Sequence, residues 1–256
     1  MADWMDRFSL AGRRALVTGA SRGIGAEIAR VFADAGADVA LVGRDRAALE
    51  DTADAVTASG RKALPIAGDL TTAAGADAVA AEVLAAWGTI DILVNCAGIA
   101  PVAPALALTA EAFDDTMAVN VRAPFLLSRA LAPQMIAQRW GKIINISSQT
   151  GVIALADHAA YAASKGALNA LTKSLMAEWA PHNIQVNAIC PTVVLTEMGR
   201  EIWGPPEKGE PMLAKTPLGR FGEPVEIADC ALYLASPASG LVNGALIMIE
   251  GGFSSV

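Results

Sequence analysis

The chain has 256 residues, of which 54% are hydrophobic and 18% charged, with a net charge of −7 and a mean hydropathy of +0.42. That balance fits one large α/β unit with a single extended core better than two small domains, and it points to apolar surface hidden between subunits. It also argues against three partners: no Lys/Arg run beyond Arg13-Arg14 supplies the electrostatics of nucleic-acid binding, the longest apolar stretch (Ile92 to Leu108) is broken by Asn95, Gly98, Pro101 and Pro104 and so spans no membrane, and two histidines cannot build a His-rich metal site.

The N-terminal stretch MADWMDRFSLAGRR has no apolar signal core, so a soluble, cytoplasmic protein is expected. From Arg14 onward, short β-branched runs alternate with longer Ala-rich segments of helical period. Strands are predicted over Arg14–Thr18, Val39–Val42, Ala63–Ile66, Ile92–Asn95, Lys142–Ser147, Gln185–Ile189 and Leu246–Ile249. Helices are predicted over Gly25–Ala35, Ala47–Ser59, Ala74–Trp87, Glu111–Gln138, Ala159–Trp179 and Val225–Ala235. The strands read as continuous apolar runs, as strands buried on both faces do. The expected fold is therefore a Rossmann-type, doubly wound parallel sheet of about seven strands flanked by helices, a single domain whose first part (about 1–150) serves a cofactor and whose second (about 140–256) serves catalysis and substrate.

The first strand runs into RALVTGASRGIG, with Gly19, Gly23 and Gly25 ahead of a helix. Glycines there allow a tight turn and let backbone N–H groups and the helix N-terminus approach a pyrophosphate. At the end of the second strand, where a ribose-binding carboxylate usually stands, the chain has Gly43 and then Arg44. Arg44 and Arg22 would attract a 2′-phosphate, so NADP(H) is expected over NAD(H). Asp45 competes with that reading, because a one-residue shift would present a carboxylate; Arg22 and Arg44 could also be plain surface charges.

Cys96, Cys190 and Cys230 show no paired spacing and are expected as buried free thiols. In IINISSQTG the fifth strand ends in Ser147 and Ser148, at the sheet edge where ligands of such folds bind. In YAASKGAL, Tyr161 and Lys165 lie one helical turn apart and face the same way. Lowering a phenol pKa by three units needs roughly 4 kcal/mol, and an ammonium about 4 Å away at an effective dielectric of 20 supplies energy of that order. Lys165 is thus expected to tune Tyr161, aided by the charge of an oxidised nicotinamide. Between Thr196 and Gly222 the rhythm breaks, and the Pro, Gly and charged residues around Met198, Trp203 and Met212 are expected to form a lid over a pocket.

TGASRGIG, NCAG at 95–98, VNV at 119–121, Ser148 and YxxxK resemble the short-chain dehydrogenase/reductase family over essentially the whole chain. The resemblance implies that Tyr161 is a general acid/base, that Lys165 lowers its pKa and holds the nicotinamide ribose, that Ser148 orients the carbonyl, and that Asn120 holds a water of a proton relay. It implies cofactor contacts at Ser21, Ile24, Asp69, Leu70, Asn95, Ala97, Gly98, Pro191, Val194 and Thr196. The usual NNAG is NCAG here, which should have little consequence, and the usual Pro-Gly is Pro191-Thr192. PTVVLTEMG, Trp203, Met212-Leu213, PLGRF and His158 are similar to the L-xylulose/dicarbonyl reductase branch. That branch implies small polar substrates (ketoses, polyols, α-dicarbonyls) and a homotetramer paired through Glu111–Gln138 and Ala159–Trp179. His158, as a donor to a substrate hydroxyl, Gln149 and Trp203 would line the pocket, though Trp203 could instead only anchor the lid. The alternative enzyme is a 3-oxoacyl carrier-protein reductase docking through Arg129, Arg139 and Lys173; a non-catalytic NADP-binding scaffold is the alternative of a different class.

Overall fold

The computed structural model describes residues 4–256, so part of the N-terminal stretch read above, residues 1 to 3, lies outside the described residues. Seven parallel strands form one sheet among them: β1 (Arg14–Thr18), β2 (Asp38–Gly43), β3 (Ala63–Ala67), β4 (Ile92–Asn95), β5 (Gly141–Ile146), β6 (Ile184–Pro191) and β7 (Leu246–Ile249). Their order is β3-β2-β1-β4-β5-β6-β7. Chain direction through the sheet therefore reverses between β1 and β4, the switch point at which open α/β sheets bind ligands.

Helices α1 (Gly23–Asp34), α2 (Arg46–Ala58) and α3 (Ala73–Trp87) are followed by α4 (Ala110–Met117), α5 (Ala123–Gln138), α6 (Ala159–Trp179) and three more, α7 (Glu197–Trp203), α8 (Pro206–Leu213) and α9 (Pro224–Ala235). One face of the sheet packs Ile28 and Phe32 of α1, Leu49 of α2 and Ile227 and Leu234 of α9. The other packs Val79 and Val83 of α3, Leu127, Leu131 and Met135 of α5 and Leu175 of α6. Strands β4, β5 and β6 are buried at every position, which is why they read as unbroken apolar runs.

The structure corrects two predicted elements. The helix expected over Glu111–Gln138 is interrupted by a π-helical turn, Ala118–Arg122, which separates α4 from α5 and contains Asn120. The turn is only five residues long, and apolar periodicity does not resolve an insertion that short. The segment 196–222, expected as a lid loop, contains α7 and α8. Thr196 caps α7 by accepting from the Gly199 N–H at 3.0 Å, and Pro206 opens α8 where a missing N–H costs nothing.

At the end of the sheet remote from the ligand edge, Lys142 of β5 is 3% exposed and donates to Ser239 Oγ at 2.9 Å, with no ion pair among the described residues. Burial, with Arg13 adding repulsion, pushes its pKa down to about 8. The folded state binds this proton less tightly than the unfolded chain, so the penalty is full below about pH 8 and fades as pH rises toward 10.5. Lys142→Met is therefore expected to raise stability at pH 7 by about 2 kcal/mol. Urea denaturation at pH 7 and 10 should also show a smaller rise of stability with pH than in the parent chain, since Met carries no proton to lose.

Candidate active site

A cavity of about 520 Å³ opens along the carboxyl edge of the sheet, from the turn after β1 to helices α7 and α8. Thr18 fixes its floor. At the last position of β1 its hydroxyl accepts from the N–H groups of Cys96 (3.0 Å) and Ala97 (3.1 Å) and donates to Val94 O (3.3 Å), so β1 and the end of β4 hold a set gap at the switch point.

The glycine turn forms one end of the cavity, where Gly19, Ser21, Arg22, Gly23, Ile24 and Gly25 all line it. Gly19 has φ +67° and a Cβ there would come within 2.9 Å of the Ala97 backbone, while a Cβ on Gly25 would collide with Gly19 O. Only glycine fits either position. α2, α3, α4 and α7 are each capped by a side chain, from Asp45, Thr72, Thr109 and Thr196. No side chain caps α1, so its first N–H groups stay open to an anion. Arg44 and Asp69 line the next stretch, with Leu70. Asp45 does not line it, because its carboxylate accepts from the Ala48 N–H at the start of α2. Thr71, through its N–H and then its hydroxyl, holds the Asp69 carboxyl below the usual carboxylate range.

At the centre, Ser148, Tyr161 and Lys165 share the cavity wall. Lys165 Nζ lies 5.5 Å from the Tyr161 ring centre and donates to Ile146 O at 2.7 Å. The helix therefore presents both groups to one space, as the four-residue spacing predicts. The expected electrostatics need correction. Burial pushes the Tyr161 phenol up, partly offset by a hydrogen bond with Ser148, and burial pushes Lys165 down to about 8. In the protein alone, desolvation outweighs the tuning expected of Lys165, whose ammonium is held by a backbone carbonyl.

Ala97, Gly98, Pro191, Val194 and Thr196 line the cavity opposite the glycine turn. Gln149, His158 and Trp203 line its outer part, joined there by Met212 of α8. His158 Nδ1 is 2.6 Å from Ala156 O, which makes Nδ1 the protonated nitrogen and leaves Nε2 as an acceptor. It was expected to donate to a substrate hydroxyl; in its neutral form it can only accept from one.

Two expected residues stand behind the wall instead of in it. Asn95 donates to Asn145 Oδ1 at 2.8 Å, and Asn145 to Thr172 Oγ1 at 2.9 Å, linking β4, β5 and α6. The Asn120 side chain donates to Ile99 O (2.9 Å) and Ser164 Oγ (3.0 Å) and accepts from Ile99 N–H (2.9 Å). It pins the segment after β4 to α6, and these bonds leave its amide nitrogen nothing further to donate. Cys96 was expected to be buried, yet it is only partly so and lines the cavity, with its thiol pushed up to about 12 by burial; Cys230 is also partly buried, and only Cys190 is fully so. Among the polar lining residues that sequence reasoning did not assign are Thr71, Asp115, Thr150 and Thr192, the last noted only as a departure from Pro-Gly.

An uncapped helix N-terminus, a glycine cradle, two arginines and a cavity long enough to reach the Tyr161–Lys165 pair fit a dinucleotide. Among the described residues no cluster of metal-ligating side chains occurs, and no helix is long and apolar enough to cross a membrane.

Comparison with known proteins bears on the same region. A family model described as enoyl-(acyl carrier protein) reductase matches residues 19–254. The chain is 42% identical to an NAD-dependent glycerol dehydrogenase of Listeria innocua over 247 residues, 96% of each protein. It is 43% identical to the L-xylulose reductase of Mus musculus over 246 residues, 95% of this chain and 97% of that one. A solved gluconate 5-dehydrogenase from Burkholderia cenocepacia, in complex with NADP and tartrate, superposes with a TM-score of 0.94 at 38% identity, covering 99% of this chain and all of that one.

Asn120→Ala removes three hydrogen bonds at once, a buried one to Ser164 and two partly buried ones with Ile99. Stability measured by urea denaturation is expected to fall by about 2 to 3 kcal/mol, since the Ile99 backbone groups lose their partner.

Proposed function

Because the chain belongs to the short-chain dehydrogenase/reductase family, we propose that it is an NADP(H)-dependent oxidoreductase interconverting a carbonyl and a secondary alcohol on a small polar substrate, a ketose, polyol or α-dicarbonyl. The observation that carries the reading is the continuity of one cavity from Arg22, Arg44 and the open N-terminus of α1 to Ser148, Tyr161 and Lys165.

The bound nicotinamide supplies or accepts the hydride. Tyr161 donates a proton to the substrate oxygen in reduction and takes it back in oxidation. Burial keeps this phenol protonated, which suits it as the acid of the reductive direction. Ser148 Oγ accepts from Thr150 N–H and Thr150 Oγ1–H, so its own hydrogen is left for the Tyr161 oxygen or, once substrate is bound, for the substrate oxygen beside it. Lys165, held at Ile146 O, keeps further N–H bonds for the ribose hydroxyls of the cofactor. His158 Nε2 accepts from a hydroxyl of the substrate, and Trp203 covers it. The backbone around Val194 and the Thr196 side chain receive the carboxamide of the ring.

For the cofactor, Gly43 and Arg44 favour a 2′-phosphate, with Asp45 held at the start of α2. The Listeria relative is named as NAD-dependent and the Burkholderia structure holds NADP, so the preference is a property to be measured on this chain. A 3-oxoacyl carrier-protein reductase would need free cations to dock an acidic partner. Arg129, Arg139 and Lys173 are scattered along the sequence with no basic cluster, and Arg129 faces Asp77 at 3.9 Å, so they make a weak case for such a surface. A silent NADP-binding scaffold would not need Ser148, Tyr161 and Lys165 in one cavity. Phe113 of α4 and Phe125 of α5, both more than a third exposed, are the faces through which we place association into a homotetramer.

Tyr161→Phe should lower turnover of ketoses and polyols roughly a thousandfold while NADPH affinity, read by fluorescence titration, stays within about threefold. Arg44→Ala should weaken NADPH binding about tenfold or more and leave NADH binding nearly unchanged. A variant that weakened both cofactors alike would show Arg44 to be indifferent to the 2′-phosphate.

A further inference from the structure

The cavity wall carries two polar atoms that no group of the protein answers. Gln149 and Thr192 both line it, and each stands three residues beyond Ile146 and Ile189, the last register pair joining β5 to β6. Gln149 is 2% exposed. Its Oε1 and the Oγ1 of Thr192 are buried with no hydrogen-bond partner among the described residues. Native interiors rarely leave such atoms unpaired, because desolvation is then uncompensated, and two apolar side chains would avoid the cost. Thr192 is itself only partly buried, lines the cavity, and has a hydroxyl hydrogen free to turn toward a partner.

The chemistry of the pair selects its ligand. A carboxamide oxygen only accepts, whereas a threonine hydroxyl both donates and accepts. A hydroxyl within reach of both would satisfy both, donating to Gln149 Oε1 and accepting from Thr192 Oγ1. A ligand that offers only carbonyl oxygens has no hydrogen for Gln149 Oε1. The two residues adjoin Ser148 and Pro191, so the hydroxyl they receive sits on a carbon near the reacting one.

We propose that Thr192 is a specificity-determining residue that, together with Gln149, receives a hydroxyl of the substrate next to its reacting carbon and so favours polyhydroxylated substrates over dicarbonyls that lack one. The inference rests on the oxidoreductase reading above and assigns Thr192 a role inside it.

The test uses Thr192→Val, which keeps the shape and removes the hydroxyl, and Thr192→Ser, which keeps the hydroxyl. With cofactor saturating, kcat/KM for xylitol oxidation is expected to fall about tenfold in Thr192→Val, mainly through KM, as the loss of one hydrogen bond to a substrate hydroxyl predicts. Reduction of 2,3-butanedione and the Kd for NADPH should stay within about twofold, and Thr192→Ser should behave like the parent chain. Equal losses on both probes, a weakened NADPH complex, or a Ser variant as impaired as the Val variant would each overturn the proposal. So would a change in thermal stability with no change in substrate preference, which is the mark of a packing or buried-water role. If the parent chain turned over neither probe, the oxidoreductase reading would fall, and calorimetric titration of xylitol into the NADP⁺-saturated protein would still decide Thr192: tighter binding by the parent than by Thr192→Val supports it, and equal binding refutes it.

Discussion

The site depends on how α6 is docked against the ends of β4 and β5. One stripe of the helix carries Tyr161, Lys165, Asn169 and Thr172, at spacings of four, four and three, and each of the last three makes a buried polar contact with the sheet or the turn after it. Lys165 donates to Ile146 O, Asn169 to Gly151 O, and Thr172 accepts from Asn145, which accepts in turn from Asn95. A stripe of leucines would bury more apolar area but would slide, because hydrophobic contact has no direction. Hydrogen bonds have direction, and these fix the register of α6 so that Tyr161 reaches the cavity. The alanines of YAASKGALNAL lie on the other faces of the helix, Ala163 and Ala170 exposed and Ala162 and Ala167 only partly buried, while the buried stripe is carried by Ser164, Lys165, Leu168 and Asn169.

That docking makes a dry site, and dryness governs the protonation of its groups. The phenol is pushed up and the ammonium down by the same cause. Lys142 offers a comparison within the same strand and helix framework. It too is buried, donates to a neutral acceptor and is pushed down to about 8, yet it sits at the opposite end of the sheet and does not line the site cavity. A buried lysine with a depressed pKa is therefore not by itself a sign of chemistry in this protein. What separates Lys165 is its company: Tyr161 one turn away, Ser148 across the gap and an open space in front of all three.

The parts legible in the sequence are those whose physical cause is local. Gly25 is forced by a backbone contact within the turn it builds and Gly19 by its left-handed φ, although the backbone Gly19 must clear belongs to Ala97 far along the chain; the strands announce themselves because burial on both faces leaves no alternation to hide them. Tyr161 and Lys165 are legible because a helical repeat places them together whatever surrounds them. The rest depends on partners far along the chain. Asn95 and Asn120 look like ligands of the cavity from their motifs, yet their amides are engaged by Asn145, Ile99 and Ser164, and no local signal reveals that. The π-helical turn is too short for apolar periodicity to resolve. The expected lowering of the Tyr161 pKa rested on Lys165 and on the charge of an oxidised nicotinamide, and in the protein alone burial outweighs the lysine. Helices α7 and α8 carry cap signals in Thr196 and Pro206, but their Gly and Pro content reads as loop.

The cavity joins two kinds of construction, and the division tells which properties are fixed and which can vary. Its inner wall is made of strand ends and the uncapped N-terminus of α1, held by Thr18 across the switch point. Displacing any of these groups would mean displacing the sheet, so the geometry of proton and hydride transfer is set rigidly. Its outer wall is made of the turn at 149–151, the approach to α6 with His158, and two short helices at 197–213. These segments rest on caps and turns more than on the core, and a substitution among them alters what the cavity accepts while leaving Tyr161, Lys165 and Ser148 in place. Relatives named for glycerol, L-xylulose and gluconate can thus share one sheet and differ at its rim. Gln149 and Thr192 stand where the two constructions meet, Gln149 opening the turn after β5 and Thr192 following the last residue of β6, beside the rigid inner wall yet in segments that can differ between relatives.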